Sequence, residues 1–197
     1  MNYLAHIFLS GGQPDVMIGN FIADSIKGSK YNAYPPEIQK GIVLHRHIDT
    51  MTDAHPAFRK STKRLHKNYG HYSGIIVDIF YDHFLAKNWA TFSDVPLDVY
   101  IQSFYTLLRD NFEILPANIQ KMAPIMMEGN WLLIYAELDG IDRVLSGMNR
   151  RTKNRSGMDT AGQELREFYI LFEADFKLVF KDLQKLSTDY LADKDTV

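Results

Sequence analysis

All seven histidines fall in the first 83 residues, and with them stand aspartates at spacings that a helix would turn to one side. Asp24 closes the segment GNFIAD. His45 and Asp49 stand four apart in LHRHID, with Asp53 one turn further on. Asp78 and Asp82 repeat the interval in DIFYDH, and His83 follows directly. Residues four apart share a helical face. Carboxylate oxygen and neutral imidazole nitrogen are the donors that divalent cations take, and two helices carrying such pairs can meet across a bundle core. One His–Asp pair alone is most often a surface hydrogen bond. The apolar setting IIVDIFYDHFL argues for more, because carboxylates buried there without partners would be costly. A cation would compensate several at once; a salt bridge to Arg46 would compensate some. A mixed Asp/His set suits Mn, Fe, Mg or Zn, and the sequence does not choose among them.

Other residues with chemical potential are weaker. His6 lies alone in MNYLAHIFLS and reads first as a hydrogen-bonded core residue, second as part of a site. Asn20 reads as a helix-start residue or as a group that orients a ligand. His47, His55, His66 and His71 sit in polar surroundings and are expected at the surface. Basic residues cluster twice, at Arg59, Lys60, Lys63, Arg64 and Lys67 and at Arg150, Arg151, Lys153 and Arg155. Each is either a solvated face or a docking surface for an acidic protein or phosphate-rich ligand. Neither is interleaved with the aromatics that stack single-stranded bases. Trp89 and Trp131 are expected to anchor the core. No Gly-x-Ser-x-Gly elbow, Walker loop or dinucleotide fingerprint is present.

These side chains must be carried by helices. Pro35-Pro36 suits a helix start, with Ile38, Ile42, His45 and Ile48 stepping by three and four. Further helices are expected over Pro56 to Tyr69, closed by Gly70, and over Ser73 to Trp89. Others follow from near Pro96 to Pro116, over Ala117–Met127, Trp131–Met148 and about Asp159 to Leu191, with a polar, loop-like stretch from Asn149 to Thr160. Strand signals are weak. The expected fold is all-α, a single-domain helical bundle spanning residues 1–197. A chain of 197 residues with 46% hydrophobic residues can bury a sizeable core. A net charge of -2 gives no global attraction to nucleic acid, and no apolar run is long enough to span a membrane. Zero cysteines exclude disulfides, thiolate metal sites and cysteine nucleophiles, and fit the cytoplasm. The start lacks the basic region of a secretory signal and is expected to be part of the fold.

Taken together, MNYLAHIFLS, GNFIAD, YPPEIQKGIVLHRHIDTMTDAHP and DIFYDHFLAKNW resemble the acyl carrier protein phosphodiesterases, also called acyl carrier protein hydrolases. The likeness is strong through the first half and looser through Trp131 and Ser146–Met148. That family is similar to the HD-domain metal-dependent phosphohydrolases, with the usual His-Asp order reversed at Asp82-His83. The resemblance implies an HD-like all-α fold and a divalent cation, usually manganese. It implies hydrolysis of the phosphodiester joining 4'-phosphopantetheine to a serine of holo-acyl carrier protein. Asp24, His45, Asp49, Asp78 and His83 are then the expected metal ligands. Asp82 or Asp49 would be the base, Arg46 a phosphate ligand or a salt-bridge partner, and His6 a further catalytic candidate. Arg59, Lys60, Lys63, Arg64 and Lys67 would receive the acidic carrier protein. Two alternatives keep less of this: an HD-like phosphohydrolase of nucleotides or small phosphodiesters, and a non-catalytic helical protein whose Asp/His pairs are salt bridges.

Overall fold

A computed structural model describes residues 1–193. Among them the regular structure is helical: α1 (Tyr3–Phe8), α2 (Pro14–Ile22), α3 (Pro36–Ala54), α4 (Pro56–Tyr69), α5 (Ser73–Lys87), α6 (Leu97–Asp110), α7 (Ala117–Glu128), α8 (Trp131–Ile134), α9 (Leu138–Arg151), α10 (Gly162–Glu167) and α11 (Tyr169–Ala192), joined by short 3₁₀ turns. Pro36 and Pro56 sit in first turns as the sequence reading expects, and Pro14 does the same in α2, where a missing N–H costs nothing. Gly70 closes α4 at a φ of 52°.

Two expected helices are broken. Trp131–Met148 divides at Tyr135–Glu137 into α8 and α9, a turn that lets α9 pack on α5. The turn is tight: a Cβ on Gly140 would lie 1.8 Å from the Ile134 carbonyl oxygen. The last helix does not start at Asp159. A separate α10 docks on α9, where Arg166 Nη2 meets Asp142 at 2.7 Å, and α11 begins only after Phe168. Helix α9 itself reaches Arg151, into the stretch expected to be a loop.

Amphipathicity sorts the layers. In α2 every residue from Val16 to Ile22 is buried, and α5 buries eleven residues, Asp82 and His83 among them. A helix apolar all round belongs inside. Helices α4 and α9 are one-sided and lie outside. One contiguous core runs from Met1 to Leu183, with Phe80, Phe84, Phe172, Phe176 and Phe180 at its aromatic centre.

The closest contact between helices is α2 on α3. A Cβ on Gly19 would stand 2.0 Å from Ile38 O, and one on Gly41 2.2 Å from Val16 O. Backbone touches backbone there, which only glycine permits. That contact brings Asn20 of α2 against His45 of α3.

Candidate metal centre

His6 on α1 and His45 on α3 lie side by side, their rings stacked at 3.9 Å between centroids. Asn20 orients both. Its side-chain amide donates to His6 O at 2.8 Å and Ser10 Oγ at 3.0 Å. Its Oδ1 is thereby turned to accept from His6 Nδ1 at 2.8 Å, while its backbone carbonyl accepts from His45 Nδ1 at 2.8 Å. Each Nδ1 is spent as a donor, and both Nε2 atoms face the same way, as second-sphere carbonyls arrange for metal-binding imidazoles.

What they face is Asp49. His6 Nε2 is 3.2 Å from Asp49 Oδ1, and His45 Nε2 is 3.0 Å from Oδ2 and 3.2 Å from Asp24 Oδ1. Ligand atoms of His6, His45 and Asp49 all lie within 4.8 Å of one another. The electrostatics are uneven. Burial, then the neighbouring charge of His45, pushes the His6 pKa down to about 4, so this imidazole is neutral at pH 7. Burial opposes charge on His45 too, but the hydrogen bonds to Asp24 and Asp49 outweigh it and raise the pKa to about 9. Asp49 is half-buried; desolvation opposes its charge, but the hydrogen bond from His45 holds its carboxyl far below the usual carboxylate range. The His45 hydrogen bond likewise lowers Asp24. A neutral His6 thus aims a lone pair at a carboxylate oxygen, and its Nε2 is buried with no hydrogen bond. Two acceptors facing each other at 3.2 Å need a cation between them, which is how these residues fit a divalent metal.

Asp78 lies beside this group. The Met1 ammonium is 3.0 Å from Asp78 Oδ1 and 3.6 Å from Asp49 Oδ1. Burial raises the Asp78 pKa, against the pull of that ammonium. Asp24 and Asp78 open onto a cleft of about 710 Å³ bounded by α5, α8 and α9.

Other expected site residues lie away from this group. His83 points elsewhere: its Nδ1 donates to Tyr135 O at 2.7 Å, and its Nε2 lies 3.0 Å from the Tyr169 hydroxyl, away from Asp49 and His45. Asp82, one turn along α5 from Asp78, is sealed beneath the start of α1, is 0% exposed, and accepts the N–H groups of Leu4 and Ala5 at 2.8 and 3.2 Å. It satisfies the orphan donors of α1 and so sets where His6 sits. Burial lifts its pKa to about 7, with the two backbone N–H groups resisting. Arg46 pairs with no aspartate among the described residues; it donates to Ile26 O and Gly28 O at 3.3 and 2.8 Å, lies over the Tyr31 ring, and pins the segment after Asp24. In the basic cluster of α4, Lys60 and Arg64 pair with buried Asp175, Arg59 Nε donates to Asp53 O at 3.0 Å, and Lys63 and Lys67 flank a separate shallow hollow. None of the five lines the cleft. Trp89 is a core anchor, donating to Val95 O at 2.7 Å, but Trp131 is half-buried and walls the cleft.

Comparison with known proteins decides the family. The family model described as acyl carrier protein phosphodiesterase matches residues 1–183, nearly the whole chain and every residue of the centre. The chain belongs to the acyl carrier protein phosphodiesterase family. Curated relatives bearing that name include one from Yersinia pestis, 36% identical over 155 residues (78% of this chain and 80% of the relative). Others come from Photorhabdus laumondii, 31% identical over 180 residues and 89% of each chain, and Klebsiella pneumoniae, 32% identical over 199 residues, 95% and 97% of the two chains. No solved structure matches.

Sequence reasoning underrated His6 and Asn20, since a lone His and a lone Asn carry no spacing signal. The Met1 ammonium and the cleft walls from α8 and α9 carried none either.

Proposed function

We propose that this chain is a metal-dependent phosphodiesterase. It hydrolyses the phosphodiester between 4'-phosphopantetheine and the serine of holo-acyl carrier protein, releasing apo-carrier protein and 4'-phosphopantetheine. The observation that carries the reading is the neutral His6 Nε2 directed at Asp49 beside His45, in a chain of this family. His6, His45 and Asp49 would hold the cation, with Asp24 and Asp78 at its edge. Manganese is the ion the family resemblance favours, and the nitrogen and oxygen donors suit it. When bound, a divalent cation lowers the pKa of a coordinated water and offsets charge on phosphoryl oxygens.

The protein's own groups supply the rest. Asn20 fixes the tautomers of both imidazoles. Asp78 faces the cleft and has raised proton affinity from burial, so it takes the proton of the attacking water; Asp82, sealed under α1, has no path to do so. Water adds to phosphorus and the serine oxygen leaves with a proton, so no serine or cysteine nucleophile is needed.

Mass spectrometry of holo-acyl carrier protein incubated with the enzyme, with and without manganese, tests this. Loss of the phosphopantetheine mass only with the ion supports the reading. An unchanged carrier protein beside cleavage of nucleotides or small phosphodiesters would transfer the chain to a different substrate class.

A further inference from the structure

The cleft beside the metal centre has features that hydrolysis alone does not require. Its roughly 710 Å³ is the size of a small-molecule site. Asp24 and Asp78 mark one side; Ile79, Trp131, Ile134 and Val144 give apolar walls; Arg150 and Arg151 supply positive charge. Arg151 stacks its guanidinium over Trp131 at 5.8 Å and lies close enough to Tyr3 to lower its pKa against burial and Asp24. Both arginines line the same cleft as Asp24 and Asp78.

Gly147 adds the second observation. It lies inside α9 and lines the cleft. Glycine within a helix is unfavourable relative to alanine and needs a reason. At Gly19, Gly41 and Gly140, deep inside their helices or packed on a neighbour, the reason is steric: each would drive a Cβ into backbone at 2.2 Å or closer, whereas Gly74, in the first turn of α5, has open space like Gly147. Gly147 has no such neighbour, since its Cβ would meet only the tip of Arg150 at 3.8 Å. What the missing side chain leaves free is the space of the cleft.

Resting on the function proposed above, we infer that this cleft seats the pantetheine arm of holo-acyl carrier protein along Gly147, with Arg150 and Arg151 receiving the acidic surface of the carrier protein at its rim. The occupant follows from shape and charge. A long, uncharged chain of methyl and amide groups suits apolar walls, and an acidic partner approaching Asp24 and Asp78 needs cations beside them. This assigns docking to the cluster at the end of α9 rather than to α4.

Binding of holo- and apo-carrier protein, measured by titration calorimetry without added metal, tests the inference apart from turnover. The intact enzyme should bind the holo form about tenfold or more tighter than the apo form, the difference being the arm. Gly147→Leu should erase that preference without lowering Tm, and Arg150→Glu with Arg151→Glu should weaken both forms equally. Gly147→Ala controls for helix effects and should melt no lower than the parent. Equal affinity of the intact enzyme for both forms, or a preference that survives Gly147→Leu, would overturn the inference. A holo preference in an enzyme that never cleaves the carrier protein would uphold the cleft and remove the proposed reaction.

Discussion

His45 shows how one residue can serve two states. In the metal-free protein its pKa of about 9 keeps it charged at pH 7, bridging Asp24 and Asp49. Because the folded value is raised above the unfolded one, about 6.5, this pairing stabilises the protein fully below pH 6.5. Its contribution is lost as pH climbs through 9. Melting of chelated protein should therefore fall across that window, more than in His45→Gln. A metal must displace the same proton, so manganese uptake at pH 7 should release a proton and tighten as pH rises. Calorimetry in buffers of different ionisation enthalpy measures it. Asn20 acts on the same imidazoles without touching the ion. Asn20→Ala should weaken manganese binding by roughly 10–100-fold, read by competition with a chelator. His45 and Asp49 were legible from their four-residue interval, and so were Asp24 and Asp78 as acidic groups near them. His83 was not, because an interval says which face of α5 a residue occupies but not which neighbour that face meets.

Elements place these residues through contacts that tolerate no extra atom. Gly41→Ala would push a methyl group against Val16 O and part α2 from α3, moving Asn20 away from His45. It should cost about 1–3 kcal/mol, as overpacking does, and weaken metal binding with it; denaturant melts and chelator competition report the two effects. Asp82→Ala tests the other support. It leaves the N–H groups of Leu4 and Ala5 buried without acceptors, at roughly 1–3 kcal/mol each, and frees α1 with His6. Proline starts and the apolar run of α5 made these helices readable from sequence. The breaks at Tyr135–Glu137 and Phe168 were not, because both answer to tertiary docking, α9 onto α5 and α10 onto α9, rather than to local residue preference.

Across the molecule, one apolar core carries a centre assembled from α1, α2, α3 and α5, with a cleft walled by α8 and α9. The first half of the chain holds the candidate metal centre and the second half walls the cleft beside it. That division explains why motifs in the first half pointed to the proposed reaction while the cleft emerged only from the fold. Among the described residues no helix is long and apolar enough to cross a membrane. Steering of an acidic partner by Arg150 and Arg151 should make capture salt-sensitive, with kcat/KM for holo-carrier protein falling as ionic strength rises and that slope flattened in the double arginine variant.

The central claim is that His6, His45 and Asp49 hold the ion the reaction uses. Anomalous diffraction from crystals grown with manganese tests it most directly. The account predicts one strong peak within coordination distance of His6 Nε2, His45 Nε2 and an Asp49 oxygen, lost in His6→Ala. A peak at His83, or none near Asp49 while the crystalline enzyme still cleaves holo-carrier protein, would contradict it.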